Sequence, residues 1–191
     1  CYQGLFLVKI MNKEYLIDLL TNNKVVGIYR SPSAGFPMEK IDTTYLNQRG
    51  IDGDRYQRDE LTNKAKGIFS GTRIPDEDRD LSIISLIGVY LGNMYLILHG
   101  ARPLTLAQLR RNICVTASPY KLNESINKEF SIGKAELIGT EPCRPCTRPP
   151  KLLNRMKREE KLFAIAFEQF GGIRAHVIKP AEINMNSKIA F

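Results

Sequence analysis

The sequence predicts a β-rich α+β fold, a twisted barrel or closed sheet with helices as peripheral connectors. Three observations carry this. Short runs of branched and apolar residues recur at strand length, separated by Gly, Pro, Asn and Asp turns. Helical patterns are few, and the strongly amphipathic one is confined to Glu160 to Phe170. The 191 residues, 43% hydrophobic and 25% charged, suit one soluble domain with a real core.

The elements follow in order. Residues 1–10 read as a non-native or upstream segment, because Met11 opens an ordinary start; residues 11–191 are then one domain. Asn12 caps a short helix carrying Tyr15, Leu16, Leu19 and Leu20. Lys24 to Arg30 is a strand of branched residues, and Glu39 to Leu46 a weaker one. Gln57 to Asp80 is a polar surface excursion. Leu81 to Ile87 reads as a buried strand, Tyr90 to Leu98 as a short helix, and Thr105 caps another over Leu106 to Leu109. Arg110 to Thr116 is a strand entered by two arginines, whose alternation sends their side chains to opposite faces. Cys114 shares a face with Asn112 and reads as a packed core thiol. Tyr120 to Ile126 is a connector; Glu129 to Ile132 and Lys134 to Gly139 form a hairpin. Thr147 to Met156 is helical after Pro150, and Gly171-Gly172 stops the amphipathic helix before a strand over Ile173 to Ile178. A short strand over Lys188 to Phe191 comes last.

Composition narrows the function classes. The longest apolar-rich run, Leu81 to Leu98, is interrupted by Gly88, Gly92 and Asn93 and falls short of a membrane span. Signal-peptide anatomy is missing, so the cytoplasm is the expected location, with no membrane partner. Four cysteines are too few for a disulfide scaffold. The net charge of +8 favours anionic partners such as phosphates or a pterin phosphate. Basic residues at Lys151 to Lys161 are mixed with Glu159 and Glu160 and belong to no nucleic-acid module, so a solvated face is the better reading.

The chemistry concentrates in Glu141 to Pro150, E-P-C-R-P-C-T-R-P-P. Pro142, Pro145, Pro149 and Pro150 forbid a continuing ladder. The result is a stiff loop carrying Cys143 and Cys146 beside Arg144 and Arg148, and guanidinium groups favour the reactive thiolate. The plain alternative is a structural turn with small buried thiols. A dithiol redox pair without molybdenum is a second reading, although the βαβ setting of a thioredoxin-like site is missing. Zinc is a third, with Cys114, His99 and His176 as the remaining candidates and no second Cys-x-x-Cys. A second polar stretch, Arg49 to Arg55, places Asp52, Asp54 and Arg55 on a glycine-bearing turn; it shapes a polar pocket or is a tight turn with a local ion pair.

Four stretches together resemble the MOSC domain, named for the C-terminal domain of molybdenum cofactor sulfurase. They are Gly50 to Arg55, Arg110 to Ile113, Ile132 to Cys146 and Gly171 to Ala175, in the family's order. The resemblance implies a β-barrel-like fold with one key cysteine, matched here by Cys146 after Pro145. In members that carry molybdenum cofactor, such as the amidoxime-reducing component, that thiolate ligates the metal. In others it is thought to carry sulfane sulfur from a pyridoxal-phosphate cysteine desulfurase. Thiolate is a soft ligand that suits either role.

The catalytic candidates are therefore Cys146 and Cys143, with Cys146 the molybdenum ligand. The residues expected around an anionic pterin are Arg110, Asn112, Arg144, Arg148, Arg174, Asp54 and Arg55. The chemistry implied is sulfur carriage or reduction of N-hydroxylated substrates, with a cysteine desulfurase or an electron-donor protein as partner. No bound pyridoxal phosphate is expected. The sequence departs from the family where Tyr56 stands in place of a frequent histidine, and no N-terminal β-barrel domain of the amidoxime reducers is expected.

Overall fold

The computed structural model describes residues 22–32, 38–54 and 81–191. The expected helix after Asn12, the excursion over Gln57 to Asp80, and Arg55 lie outside the described residues.

Among the described residues the elements follow in chain order: β1 Val25–Arg30, β2 Glu39–Ile41, β3 Thr43–Asn47, β4 Gly50–Ile51, β5 Leu81–Ser85, α1 Leu86–Leu98, α2 Leu106–Leu109, β6 Ile113–Val115, α3 Pro119–Glu124, β7 Glu129–Ile132, β8 Ala135–Pro142, α4 Arg148–Leu152, α5 Lys157–Ala166, β9 Ile173–Lys179, β10 Ala181–Asn184 and β11 Ile189–Ala190. They form an eight-stranded sheet in the order β11-β7-β8-β9-β5-β6-β1-β2 and a three-stranded sheet in the order β10-β3-β4. Pairing is antiparallel except for β5 with β6.

The strand-rich α+β class is as expected, but the large sheet does not close into a barrel. β11 and β2 remain its edges, and β11 meets the start of β1, one strand in from the β2 edge, through an isolated bridge between Lys24 and Lys188. Backbone bonds between Val25 and the turn at Asn186 and Ser187 support it, Val25 N–H reaching the Ser187 carbonyl at 2.9 Å. A strand as short as β11 offers too few ladder positions to seal the seam.

Alternation along the strands sorts side chains into two cores. Ile28, Ile83, Ile113, Ile173 and Val177 of the large sheet meet Leu46, Ile51 and Ile183 of the small one. On the other face Ile84 and Cys114 pack under Val89, Leu96, Leu109, Phe163 and Phe167 of the helices. Helix α1 begins at Leu86, inside the expected strand, because the Ser85 hydroxyl caps it by accepting from the Gly88 N–H. Glycine at position 92 lets α1 settle on the Phe167 ring, which a Cβ there would meet at 2.7 Å. At Thr105 the expected cap is a full capping box, with Gln108 reaching back to the Thr105 N–H at 2.9 Å.

Three further differences bear on the site. β8 runs through Pro142, opposite Ile173, beyond the expected end of the hairpin. A proline at the last position of a strand withholds no bond the ladder needs. Pro119–Glu124 is helical, capped by Ser118, where a connector was expected. The helix after Pro150 is shorter than expected, Arg148–Leu152, and the next one starts at Lys157.

Candidate functional site

A polar row crosses the large sheet at the end where β8 stops and β6 begins. Glu141 of β8 faces Arg174 of β9, and Arg174 faces Ser82 of β5. Residues opposite one another project from the same face. Arg174 Nε meets Glu141 Oε1 at 3.1 Å, so part of its charge is already balanced.

Asn112 continues the row just before β6. Its Oδ1 accepts from the Ser82 N–H at 3.1 Å and the Ser82 hydroxyl at 2.9 Å. Its Nδ2 donates to the Tyr29 carbonyl at 3.3 Å and to Asp54 Oδ2 at 3.2 Å. The amide thus uses all four of its hydrogen-bonding positions on protein groups. Asp54 is buried, and its Oδ2 also accepts from the Ser31 N–H at 2.9 Å. Asn112 and Asp54 together tie β1, β5 and the turn after β4 to the start of β6.

The two arginines before β6 separate, though not by strand alternation. β6 starts only at Ile113, and Arg110 is in the left-handed conformation, φ 59°, as the C-cap of α2. The turn sends Arg110 toward Ser31, whose Oγ accepts from Nη2 at 3.3 Å. Arg111 goes the other way. Its Nε donates to the Gly171 carbonyl at 2.9 Å and its Nη2 to the Cys143 carbonyl at 3.4 Å. One guanidinium therefore holds the root of the cysteine loop against the turn that precedes β9. Sequence reasoning passed over Arg111 as site residue; the left-handed bend at Arg110 is what redirects it.

The loop root is packed without slack. Cys143 is 3% exposed, and its N–H donates to the Gly172 carbonyl at 2.8 Å. A Cβ on Gly171 would collide with the Cys143 carbonyl, and one on Gly172, at φ +83°, with the Ile83 carbonyl. Beyond the root the chain turns outward. Cys146 is exposed, as are Arg144 and Arg148 on either side of it. Among the described residues the three cysteines are free thiols, with Cys114 and Cys143 buried. Burial pushes the Cys114 thiol up to about 12, in keeping with a core residue.

The structure thus brings together Arg110, Asn112 and Asp54 as one hydrogen-bonded group, and Arg111, Cys143 and Gly171 as another. Arg174 pairs with Glu141 on β8 and with Ser82 on β5, and Cys146, Arg144 and Arg148 follow on the loop after β8. His176 lies further along β9, opposite Ile138. Among the described residues no group of three or more His, Cys, Asp or Glu could hold a bare metal ion, which speaks against the zinc reading. No helix among them is long and apolar enough to cross a membrane.

The fold and site define a strand-rich α+β domain that presents, among the described residues, an exposed thiol on the arginine-flanked loop that follows β8. The MOSC domain family model matches residues 92–190, and the chain belongs to that family. Solved structures agree in fold. The YuaD protein from Bacillus subtilis superposes with a TM-score of 0.71 at 20% identity, covering 88% of this chain and 94% of that one. YiiM from Escherichia coli gives a TM-score of 0.59 at 13% identity over 89% of this chain and 69% of that one. YiiM from Geobacillus stearothermophilus gives 0.55 at 11% identity, over 88% and 74%. No curated protein matches the sequence.

Proposed function

We propose that this MOSC domain protein uses the Cys146 sulfur either as the protein ligand of a molybdenum cofactor or as a carrier of sulfane sulfur. The observation that carries the reading is the contrast among the thiols: Cys146 is exposed on an arginine-flanked loop, whereas Cys143 and Cys114 are buried.

The donor set fits a metal that arrives with its own ligands. A bare ion needs three or four protein donors, and the described residues supply no such cluster. A single soft thiolate completes the shell of a metal already held in a cofactor. Arg144, Arg148 and Arg110 would bind the anionic groups of such a cofactor. Arg174 would join them in the charge it does not spend on Glu141, and Arg55 is assigned to the same set by its place in the motif. Asn112 and Asp54 would act as positioning residues, since their polar atoms are engaged within the protein. The chemistry the cofactor supplies when bound is two-electron reduction, for which N-hydroxylated compounds are the substrate class and an electron-donor protein the partner.

In the sulfur-carrier mode the Cys146 thiolate attacks the outer sulfur of a donor persulfide, such as that of a cysteine desulfurase. The new S–S bond forms as the old one breaks, and the donor leaves as a thiolate. Electrons balance without an added oxidant. Buried Cys143 stays out of the exchange.

The test is to purify wild type, Cys146→Ser and Cys143→Ser from cofactor-producing cells, then measure molybdenum, pterin and reducible sulfane sulfur on each. Whichever of these wild type carries, its loss in Cys146→Ser alone is expected. Equal loading in wild type and Cys146→Ser would remove the thiol from either role.

A further inference from the structure

Helix α1 contains no charged residue, yet it lies on the surface. Its inner face, Gly88, Val89, Gly92 and Leu96, is buried. On its outer face Tyr90, Leu91, Met94, Ile97 and Leu98 are exposed, Leu98 to 76% and Tyr90 to 55%. Single exposed apolar residues are ordinary; a contiguous helical stripe of them is not.

The spacing of the stripe is symmetric about Met94, at −4, −3, 0, +3 and +4. A two-fold axis through Met94, perpendicular to the helix, therefore sets Tyr90 and Leu91 of one copy against Leu98 and Ile97 of another. Such a self-complementary patch is what an isologous interface requires.

Charge supports the same arrangement. Helix α5 runs antiparallel beside α1: Phe170 lies against Gly88, Phe167 against Gly92, and Arg158 donates to the His99 carbonyl at 3.2 Å. Exposed Arg158 and Lys161 thus flank one end of the stripe and exposed Glu168 the other. The two-fold axis lays α5 over α5 in opposite directions, which brings Arg158 and Lys161 of each copy toward Glu168 of the other. A parallel pairing of the helices loses this match. The stripe offers roughly 500 Å² of apolar side chain per copy, and with Ile165 and the charged rim the total approaches the roughly 1,200 Å² at the low end of stable interfaces.

We infer that the outer face of α1, with the rim of α5, is a homodimer interface in which two α1 helices pack antiparallel about Met94. The size predicts a reversible dimer.

Sedimentation equilibrium across a roughly hundredfold concentration range tests it. Wild type is expected to dimerise. Met94→Glu, which places two carboxylates at the axis, is expected to be monomeric with an unchanged circular dichroism spectrum. Lys161→Glu is expected to weaken the dimer roughly tenfold, and the exchange Lys161→Glu with Glu168→Lys to restore it. A wild type that stays monomeric throughout overturns the inference, whether or not the face then takes up lipid vesicles or another protein. So does a Met94→Glu variant that still dimerises, and a charge exchange without rescue overturns the antiparallel arrangement.

Discussion

Asn112 Oδ1 accepts from both the backbone N–H and the hydroxyl of Ser82, at 3.1 and 2.9 Å. This pair joins two parallel neighbours of the large sheet, β5 and β6, one step before their ladder begins. Asn112→Asp keeps the acceptor but sets a second carboxylate against Asp54 Oδ2, where the amide now donates at 3.2 Å. Two carboxylates so close cannot both ionise cheaply, so one is protonated in the folded variant at a higher pH than in the unfolded chain. The variant's deficit is expected at neutral pH and should shrink as the pH falls from the raised folded value to the ordinary carboxylate value. Urea midpoints at pH 7 and pH ~4.5 check it; a deficit that does not move with pH refutes the repulsion.

Arg111 spans two carbonyls that belong to different segments, Gly171 and Cys143. Arg111→Ala is expected to lower stability by about 2 kcal/mol, the scale of hydrogen bonds to a charged donor. It should also change the rate at which Cys146 is alkylated, because the loop loses its anchor. Arg111→Lys should restore the stability only in part, since an ammonium cannot reproduce the two-pronged geometry. Full recovery with lysine would show that charge alone matters there.

The three described thiols should react in a fixed order. Iodoacetamide labelling followed by peptide mass spectrometry is expected to mark Cys146 first, with Cys143 and Cys114 following only on unfolding. Fast labelling of Cys143, or rapid formation of a Cys143–Cys146 disulfide under mild oxidation, would favour the dithiol reading instead.

Glu159 is buried beneath two arginines. Arg102 Nη2 lies 3.2 Å from Oε2 and Arg155 Nη1 3.7 Å from Oε1, while the Met156 N–H also donates to Oε2. Hydrogen bonding by Arg102 is the main cause that brings its carboxyl down to about 2. A depressed folded value means that the contribution is complete above the ordinary value of 4.5 and is lost as the pH falls toward 2. Glu159→Gln should therefore be less stable than wild type at pH 7. Its stability curve should converge on that of wild type in acid. Parallel curves down to pH ~2 would contradict this account.

Gly172 combines φ +83° with a site where a Cβ would collide with the Ile83 carbonyl. Gly172→Ala is expected to destabilise by more than about 2 kcal/mol, as strain and backbone displacement add. Thermal unfolding measures it, and a fall of less than a degree or two would mean the turn can relax.

Much of the frame is readable in the residues. The caps at Thr105, the hairpin of β7 and β8 and the glycines before β9 carry local signals that tertiary contacts do not override. Other features are written in no local pattern. Ser85 sits inside an apolar run, so the switch from strand to helix there is hidden until its hydroxyl is seen capping α1. β10 and β4 are too short for periodicity to show, and they exist because β3 lies between them. The helix over Pro119–Glu124 rests on the Ser118 hydroxyl and on a proline suited to the first turn. The thiols could be found by eye, and Cys114 reads as a core residue, but the burial of Cys143 beside an exposed Cys146 goes with a loop root whose carbonyl Arg111 holds. The direction of Arg111 follows from the bend at Arg110, which no propensity announces.

The placement of β9 beside β5 has a consequence for synthesis. Leu81, Ser82 and Ile83 find their partners at Ala175, Arg174 and Ile173. A nascent chain on the ribosome must therefore leave one edge of this apolar strand unpaired, even once β6 has taken the other, until the segment some ninety residues later emerges. During that interval β5 is open to the wrong neighbours, and a chaperone that shields it would raise the yield of the finished molecule.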